Sequence, residues 1–252
     1  MRSLPLLLVV AALPLTAQAP PATRPSVPAI HLAPVHPAGV PDTPRAALEE
    51  LLAGNGRFVA GRRVRTVDTG RDVALRATLV KGQQPFAVVI TCSDSRVPDA
   101  FVFDQEPGRL FTIREAGNAP DLQGLASAEY AVEHLGSKVI VVMGHTGCGA
   151  VKAVREAQGR PLPGNLWALQ AGMAGLLEST PEAPDEDAAA YGTRLEASNA
   201  QRQAQALLDR SNLLRERTAE GRLRILPALY HLDTGKVQLL KPLTPAAEVE
   251  HP

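Results

Sequence analysis

Phe86-Ala87-Val88-Val89-Ile90-Thr91-Cys92-Ser93-Asp94-Ser95-Arg96-Val97 is a short apolar run that ends abruptly in a polar, cysteine-bearing segment. A second stretch has the same form: Val139-Ile140-Val141-Val142-Met143, then Gly144-His145-Thr146-Gly147-Cys148-Gly149-Ala150. Apolar runs of this length with no polar alternation are the mark of strands covered on both faces. Such strands belong to a largely parallel sheet between helices, so these stretches decide an α/β fold class with a mostly parallel central sheet and flanking helices. In sheets of this kind ligands gather beyond the carboxyl ends of the strands, where both polar segments begin.

Outward from these strands the pattern continues. Leu110 to Arg114 reads as a further strand, Leu122 to Leu135 as a helix, and Val151 to Gln158 as the helix after the second motif. Upstream, Thr43-Pro44 gives an N-cap and a first-turn proline. Ala47, Leu48, Leu51 and Leu52 then make a helical stripe that Gly54 is expected to end, and a short helix follows around Asp72 to Val80. Gly164 to Leu214 reads as helical, interrupted by an acidic, proline-containing loop at 179–188. Arg222 to Tyr230 and His231 to Leu240, joined through Asp233-Thr234-Gly235, read as two antiparallel strands. Trp167 reads as a helix packing residue.

The 252 residues suit one α/β domain with tails. With 26 basic and 26 acidic residues, the zero net charge offers no electrostatic grip on nucleic acid or an anionic membrane. Aromatics are only 4%, so the core must be built from Val, Leu, Ile and Ala. Arg2, the apolar run Leu4 to Leu15 and the small residues of Ala17-Gln18-Ala19 read as a signal peptide over 1–19. It is too short for a comfortable membrane span, so a periplasmic or secreted protein with no stable span after processing is expected. Pro20 is a poor residue after a cleavage point, which leaves a cut elsewhere, or retention as an anchor, open. Residues 20–43 read as a Pro-rich linker, 44–242 as the domain and 243–252 as a tail; His31 and His36, in the linker, read as solvated.

Cys92 and Cys148 are the only cysteines in the chain. In an exported protein the default for two cysteines is a disulfide. His145, three residues before Cys148, offers an alternative. Two thiolates and an imidazole are a soft three-point set for Zn²⁺ that leaves a fourth position open for chemistry. Asp94 beside such a metal could bind it directly, or pair bidentately with Arg96 and orient a metal-bound nucleophile. Taken alone, Asp94-Ser95-Arg96 could equally be a turn with a surface ion pair of little worth.

Taken together, Cys92-Ser-Asp-Ser-Arg-Val97 and Gly144-His-Thr-Gly-Cys-Gly149 resemble the paired motifs of the β class of carbonic anhydrases. The resemblance extends to Gly54-Asn-Gly-Arg-Phe58, to Ala128-Glu-Tyr-Ala-Val132 and to Tyr230 to Val237, covering roughly Arg45 to Leu240. It implies zinc, one per subunit, on Cys92, His145 and Cys148. It implies reversible hydration of CO₂ to bicarbonate by a zinc-bound hydroxide that Asp94 and Arg96 orient. Gln83, Phe111 and Tyr130 match substrate-pocket residues of plant-type members, where they come from the partner subunit of a homodimer or dimer of dimers. Ala116 stands where those members carry valine, which implies a roomier pocket. Val89 stands where the bicarbonate-regulated subtype carries tryptophan, which argues against a regulatory site.

Two other readings stay open at this level. The motifs do not separate CO₂ from carbon disulfide or carbonyl sulfide, and a non-catalytic zinc or thiol protein could sense oxidation through the same cysteines. Without the resemblance, Gln83 reads as a solvated turn residue and Phe111 and Tyr130 as core. His134 and His231 lack a partner pattern and read as non-functional.

Overall fold

The computed structural model describes residues 39–64 and 69–242. The expected signal peptide, residues 20–38 of the linker with His31 and His36, and the 243–252 tail lie outside the described residues. Among those described, no helix is long and apolar enough to cross a membrane.

Five strands form one sheet, ordered β2-β1-β3-β4-β5: β1 Ala87–Thr91, β2 Leu110–Arg114, β3 Val139–His145, β4 Arg224–Tyr230 and β5 Val237–Leu239. The first four run parallel, and β5 returns antiparallel beside β4. Every residue of β1 and of β3 is buried, as their unbroken apolar sequences require. Period-two alternation splits them between two cores. Val89, Val141 and Met143 join Ala47, Leu51 and Phe103 on one face. Val88, Ile90, Ile140 and Val142 join Leu125, Val132, Leu207 and Leu214 on the other. Burying each such side chain stabilises the fold by about 1.5–3 kcal/mol, so this central pair of strands anchors whatever is attached to its ends.

The first face is covered by α1 (Pro44–Val59) and the single turn α3 (Asp99–Val102), the second by α4 (Leu122–Glu133), α8 (Ala188–Arg210) and α9 (Asn212–Ala219). Helix α2 (Thr69–Leu79) precedes β1, α5 (Gly149–Ala157) follows β3, and the short α6 (Trp167–Gly172) and α7 (Leu176–Ser179) lead to α8. Thr43 caps α1, its hydroxyl accepting from the Ala46 amide at 3.2 Å, with Pro44 in the first turn. Gly54 does not end this helix. It lies buried within it, where a Cβ would sit 1.9 Å from the carbonyl oxygen of Phe103, so glycine is needed for close packing rather than for termination. Trp167 likewise departs from expectation: it opens α6 with 58% of its surface exposed rather than packed in a core.

Register places the chemistry. Thr91 pairs with Met143 across β1 and β3, and the Thr91 hydroxyl donates to the Met143 carbonyl at 3.1 Å. The next residue on one strand is Cys92, and the next two on the other are Gly144 and His145. The two motifs therefore leave the sheet side by side. A third, smaller core of Cys92, Cys148, Val151, Val154, Met173, Leu176, Tyr191 and Leu195 closes around them.

Candidate metal centre and active site

Cys92 follows the last residue of β1, His145 is the last of β3, and Cys148 is the N-cap of α5. Gly147, at φ +69°, turns the chain between the last two, a conformation that side chains with a Cβ rarely adopt. The ligand atoms of Cys92, His145 and Cys148 all lie within 4.8 Å of one another, and all three residues are buried. The two sulfurs are 4.0 Å apart and both cysteines are free. A disulfide would need about 2.05 Å. A tetrahedral ion with metal–sulfur bonds of about 2.3 Å would hold two sulfurs about 3.8 Å apart, close to what is found.

His145 strengthens that fit. Its Nδ1 lies 3.0 Å from the Thr146 carbonyl, which can only accept, so Nδ1 carries a hydrogen. Its Nε2 is buried without a hydrogen-bond partner. A buried polar atom normally has one, and a lone pair aimed between two sulfurs is a metal donor. The field in the cluster also favours a cation. The hydrogen bond with Cys148 draws the Cys92 thiol well below its usual range. That same hydrogen bond, with burial, pushes Cys148 far above it. Burial opposes a charge on His145, and the sulfur of Cys92 with the carboxylate of Asp94 outweighs it, raising the imidazole.

Asp94 and Arg96 occupy a turn, closed by the Val97 amide on the Asp94 carbonyl at 3.1 Å, rather than an extended loop. Pairing therefore comes from the side chain of Arg96 folding back. Its Nε and Nη2 donate to the two carboxylate oxygens at 2.9 and 2.7 Å, and its amide donates to Oδ1 at 2.9 Å. These hydrogen bonds hold the Asp94 carboxyl well below the usual carboxylate range despite some desolvation. Asp94 Oδ2 lies 3.8 Å from His145 Nε2, so the carboxylate faces the cluster. Arg96 Nη2 also donates to the Gly147 carbonyl at 3.1 Å, tying the first motif to the second.

Four supporting residues escaped the sequence reading. Arg114, at the end of β2, donates to the carbonyls of Cys92 and Asp94 at 3.1 and 2.6 Å. The Gly117 amide donates to Cys92 Sγ at 3.3 Å. Glu196 and Asn199 of α8 bind backbone beside the two cysteines. Burial holds the Glu196 carboxyl above its ordinary range, against the opposing hydrogen bond from the Cys148 amide. A glutamate in the apolar stripe of α8 was the one available signal.

Gln83, Phe111 and Tyr130 are not brought to this cluster within the chain. Gln83 lies before β1, at the opposite end of the strand from Cys92. Phe111 is on the edge strand β2, level with Val88, and its ring lies 6.4 Å from that of Tyr130. Tyr130 is half-exposed and stacks 5.2 Å from His134.

The family model for carbonic anhydrase matches residues 87–237. A solved β-carbonic anhydrase of Aspergillus fumigatus aligns with a TM-score of 0.63 and 29% identity, over 79% of this chain and 92% of that one. This chain belongs to the β-class carbonic anhydrases. The enzyme is also 37% identical over 215 residues to carbonic anhydrase 2 of Mycobacterium tuberculosis, covering 79% of this chain and 95% of that protein. One of two tetrameric β-carbonic anhydrases of Sordaria macrospora aligns with a TM-score of 0.57 and 26% identity, over 77% and 96% of the two chains. As a carbonic anhydrase it is a lyase, and its Cys92–His145–Cys148 cluster is a group of side chains that could hold a metal ion at the fold's carboxyl-end crevice.

Proposed function

We propose that this enzyme hydrates CO₂ reversibly to bicarbonate and a proton with one zinc ion per subunit held by Cys92, His145 and Cys148. The observation that carries the reading is the buried, unpartnered His145 Nε2 grouped with two free sulfurs. A zinc ion bound there supplies a Lewis acid that brings the ionisation of water near neutral pH.

The chain's own residues do the rest. Asp94, kept ionised by Arg96, accepts a hydrogen bond from the attacking water and so aims its free lone pair at the CO₂ carbon. Arg96 also keeps the carboxylate from turning onto the metal, which would close the open position. The apolar residues packed around the cysteines, Val151 among them, give a neutral substrate a dry approach. Gln83, Phe111 and Tyr130 complete the pocket from a second copy of the chain, in a homodimer or dimer of dimers; their position away from the chain's own cluster, the exposure of Gln83 and Tyr130, and the tetrameric relative support this. The first 19 residues direct export to the periplasm or beyond, after which the cysteines stay reduced because metal holds them.

The test is metal analysis of the purified protein alongside stopped-flow CO₂ hydration. About one zinc per chain, with activity lost on chelation and regained with zinc, is the expected result; full activity without metal would overturn the reading. Amino-terminal sequencing of exported protein, expected to begin near Pro20, tests the location.

A further inference from the structure

Helix α8 carries a polar stripe where an apolar one would serve packing. Glu196, Asn199 and Gln203 are 6%, 1% and 6% exposed, in a helix whose other buried residues include Tyr191, Leu195, Ala200, Ala204 and Leu207. Their spacing of three and four puts them on one face. Burying such groups is unfavourable unless each finds a hydrogen bond; Glu196 Oε1 and Asn199 find theirs on backbone around the metal cluster, while Glu196 Oε2 has none. Glu196 Oε1 accepts the Cys148 amide at 2.7 Å. Asn199 Nδ2 donates to the Gly117 carbonyl at 2.7 Å, and the Gly117 amide in turn donates to Cys92 Sγ at 3.3 Å. Gln203 Nε2 lies 3.3 Å from Asn199 Oδ1 and donates to the Gly172 carbonyl at 2.7 Å, which orients the Asn199 amide.

Each cysteine is thus held by backbone that the same helix grips: Cys148 at its own amide, and Cys92 through Gly117, whose carbonyl binds Asn199 and whose amide, in the neighbouring peptide group, binds the sulfur. Cys92 follows β1 and Cys148 caps α5, and nothing in the sheet's register alone sets their separation after the chain has left the strands. One rigid helix that reaches both loops helps to set it, beside the Arg96 tie to the Gly147 carbonyl.

We propose that Glu196 and Asn199 are positioning residues of the metal centre, Glu196 fixing Cys148 through its amide and Asn199 fixing the backbone at Gly117, whose amide contacts Cys92. This rests on the reading of Cys92, His145 and Cys148 as metal ligands. Asn199 acts on more than distance. An N–H donated to a thiolate withdraws charge from the sulfur, so the Gly117 contact tunes how strongly Cys92 donates to a metal. Neither side chain touches substrate.

Glu196→Ala, Glu196→Gln and Asn199→Ala, made in the full chain, test the assignment. Zinc affinity is read by competition with a chromophoric chelator, and the thiolate-to-metal charge-transfer band is read after loading with Co²⁺. Glu196→Ala and Asn199→Ala are expected to weaken zinc binding by about 10–100-fold. Asn199→Ala is further expected to shift the charge-transfer band, which a purely structural loss would not do in the fraction that remains folded. Glu196→Gln keeps an acceptor oxygen for the Cys148 amide and is expected to bind zinc within about threefold of the parent, because that hydrogen bond is retained. Parent-like affinity and spectra in both alanine variants would overturn the proposal, as would a Glu196→Gln protein that is folded yet as weak as Glu196→Ala. If the parent itself takes up neither ion through sulfur, the ligand reading fails instead.

Discussion

The two ends of the central sheet treat sequence distance in opposite ways. At the carboxyl ends of β1 and β3, Cys92 and Cys148 are 56 positions apart in sequence and their sulfurs 4.0 Å apart in space. At the other end, Gln83 is nine residues from Cys92 but precedes the strand that Cys92 follows. A strand advances about 3.3 Å per residue, so even the five residues of β1 carry the chain about 16 Å from one end to the other. Parallel strands bring distant segments together at one end, and the same strands separate neighbours. The three candidate metal donors therefore meet within one chain, whereas Gln83, Phe111 and Tyr130 lie away from them.

The sharpest way to break the metal half is Cys148→Ser. A serine hydroxyl is a poor zinc donor, and losing one of three ligands exceeds the about 10–100-fold cost of losing an outer partner. Inductively coupled plasma analysis should find the variant essentially zinc-free and assays should find it inactive; full occupancy would show the ligand set to be wrong. Next in size is Asp94→Asn, which keeps the shape but gives Arg96 an uncharged partner and presents the water with a group of the wrong hydrogen-bond polarity. Turnover is expected to fall by about 10²–10⁴-fold with zinc retained, the usual range for a lost acid–base group. Near-parental turnover would remove Asp94 from the mechanism.

Gln83→Ala probes the other end. Removing one hydrogen bond to substrate of about 1.4 kcal/mol lowers turnover about tenfold. The informative measurement is rate per bound zinc after co-expression with the Cys148→Ser chain. If Gln83 serves a partner's metal, each mixed dimer has one metal beside an intact glutamine and the rate per zinc returns toward the parent's. A rate per zinc that stays at about a tenth would place Gln83 in its own chain's site. The smallest effect is a control on the scaffold. Gly→Ala inside a helix usually stabilises by about 1 kcal/mol. At Gly54 the added Cβ would meet the Phe103 carbonyl at 1.9 Å, so destabilisation by about 1–3 kcal/mol is expected, visible as a lower melting temperature with zinc content unchanged.

Much of the site was readable because its residues are local in sequence. Cys92-Ser93-Asp94-Ser95-Arg96 and His145-Thr146-Gly147-Cys148 each sit at the end of a strand whose apolar run is unmistakable, so fold class and ligands came from the same stretches. The Gly54 and Trp167 readings failed for a shared reason. A glycine's role as helix stop or close contact depends on which backbone passes beside it, and an aromatic's burial depends on which element covers it. Arg114, Glu196 and Asn199 left almost no trace because their partners are backbone groups, which every residue possesses and no motif records.

The sequence by itself determined the α/β class, the paired strand-end motifs and the choice of Cys92, His145 and Cys148 as candidate metal donors, because strand burial and donor chemistry are properties of residue type and short-range order. Only the tertiary structure decided that the sulfurs stand at a metal's distance rather than a disulfide's. It alone decided that Arg96 folds back on Asp94 in a turn, that α8 grips both cysteine loops, and that Gln83, Phe111 and Tyr130 lie away from the cluster. Those are matters of register and of which elements pack together, and they arise from contacts between segments that no local pattern encodes.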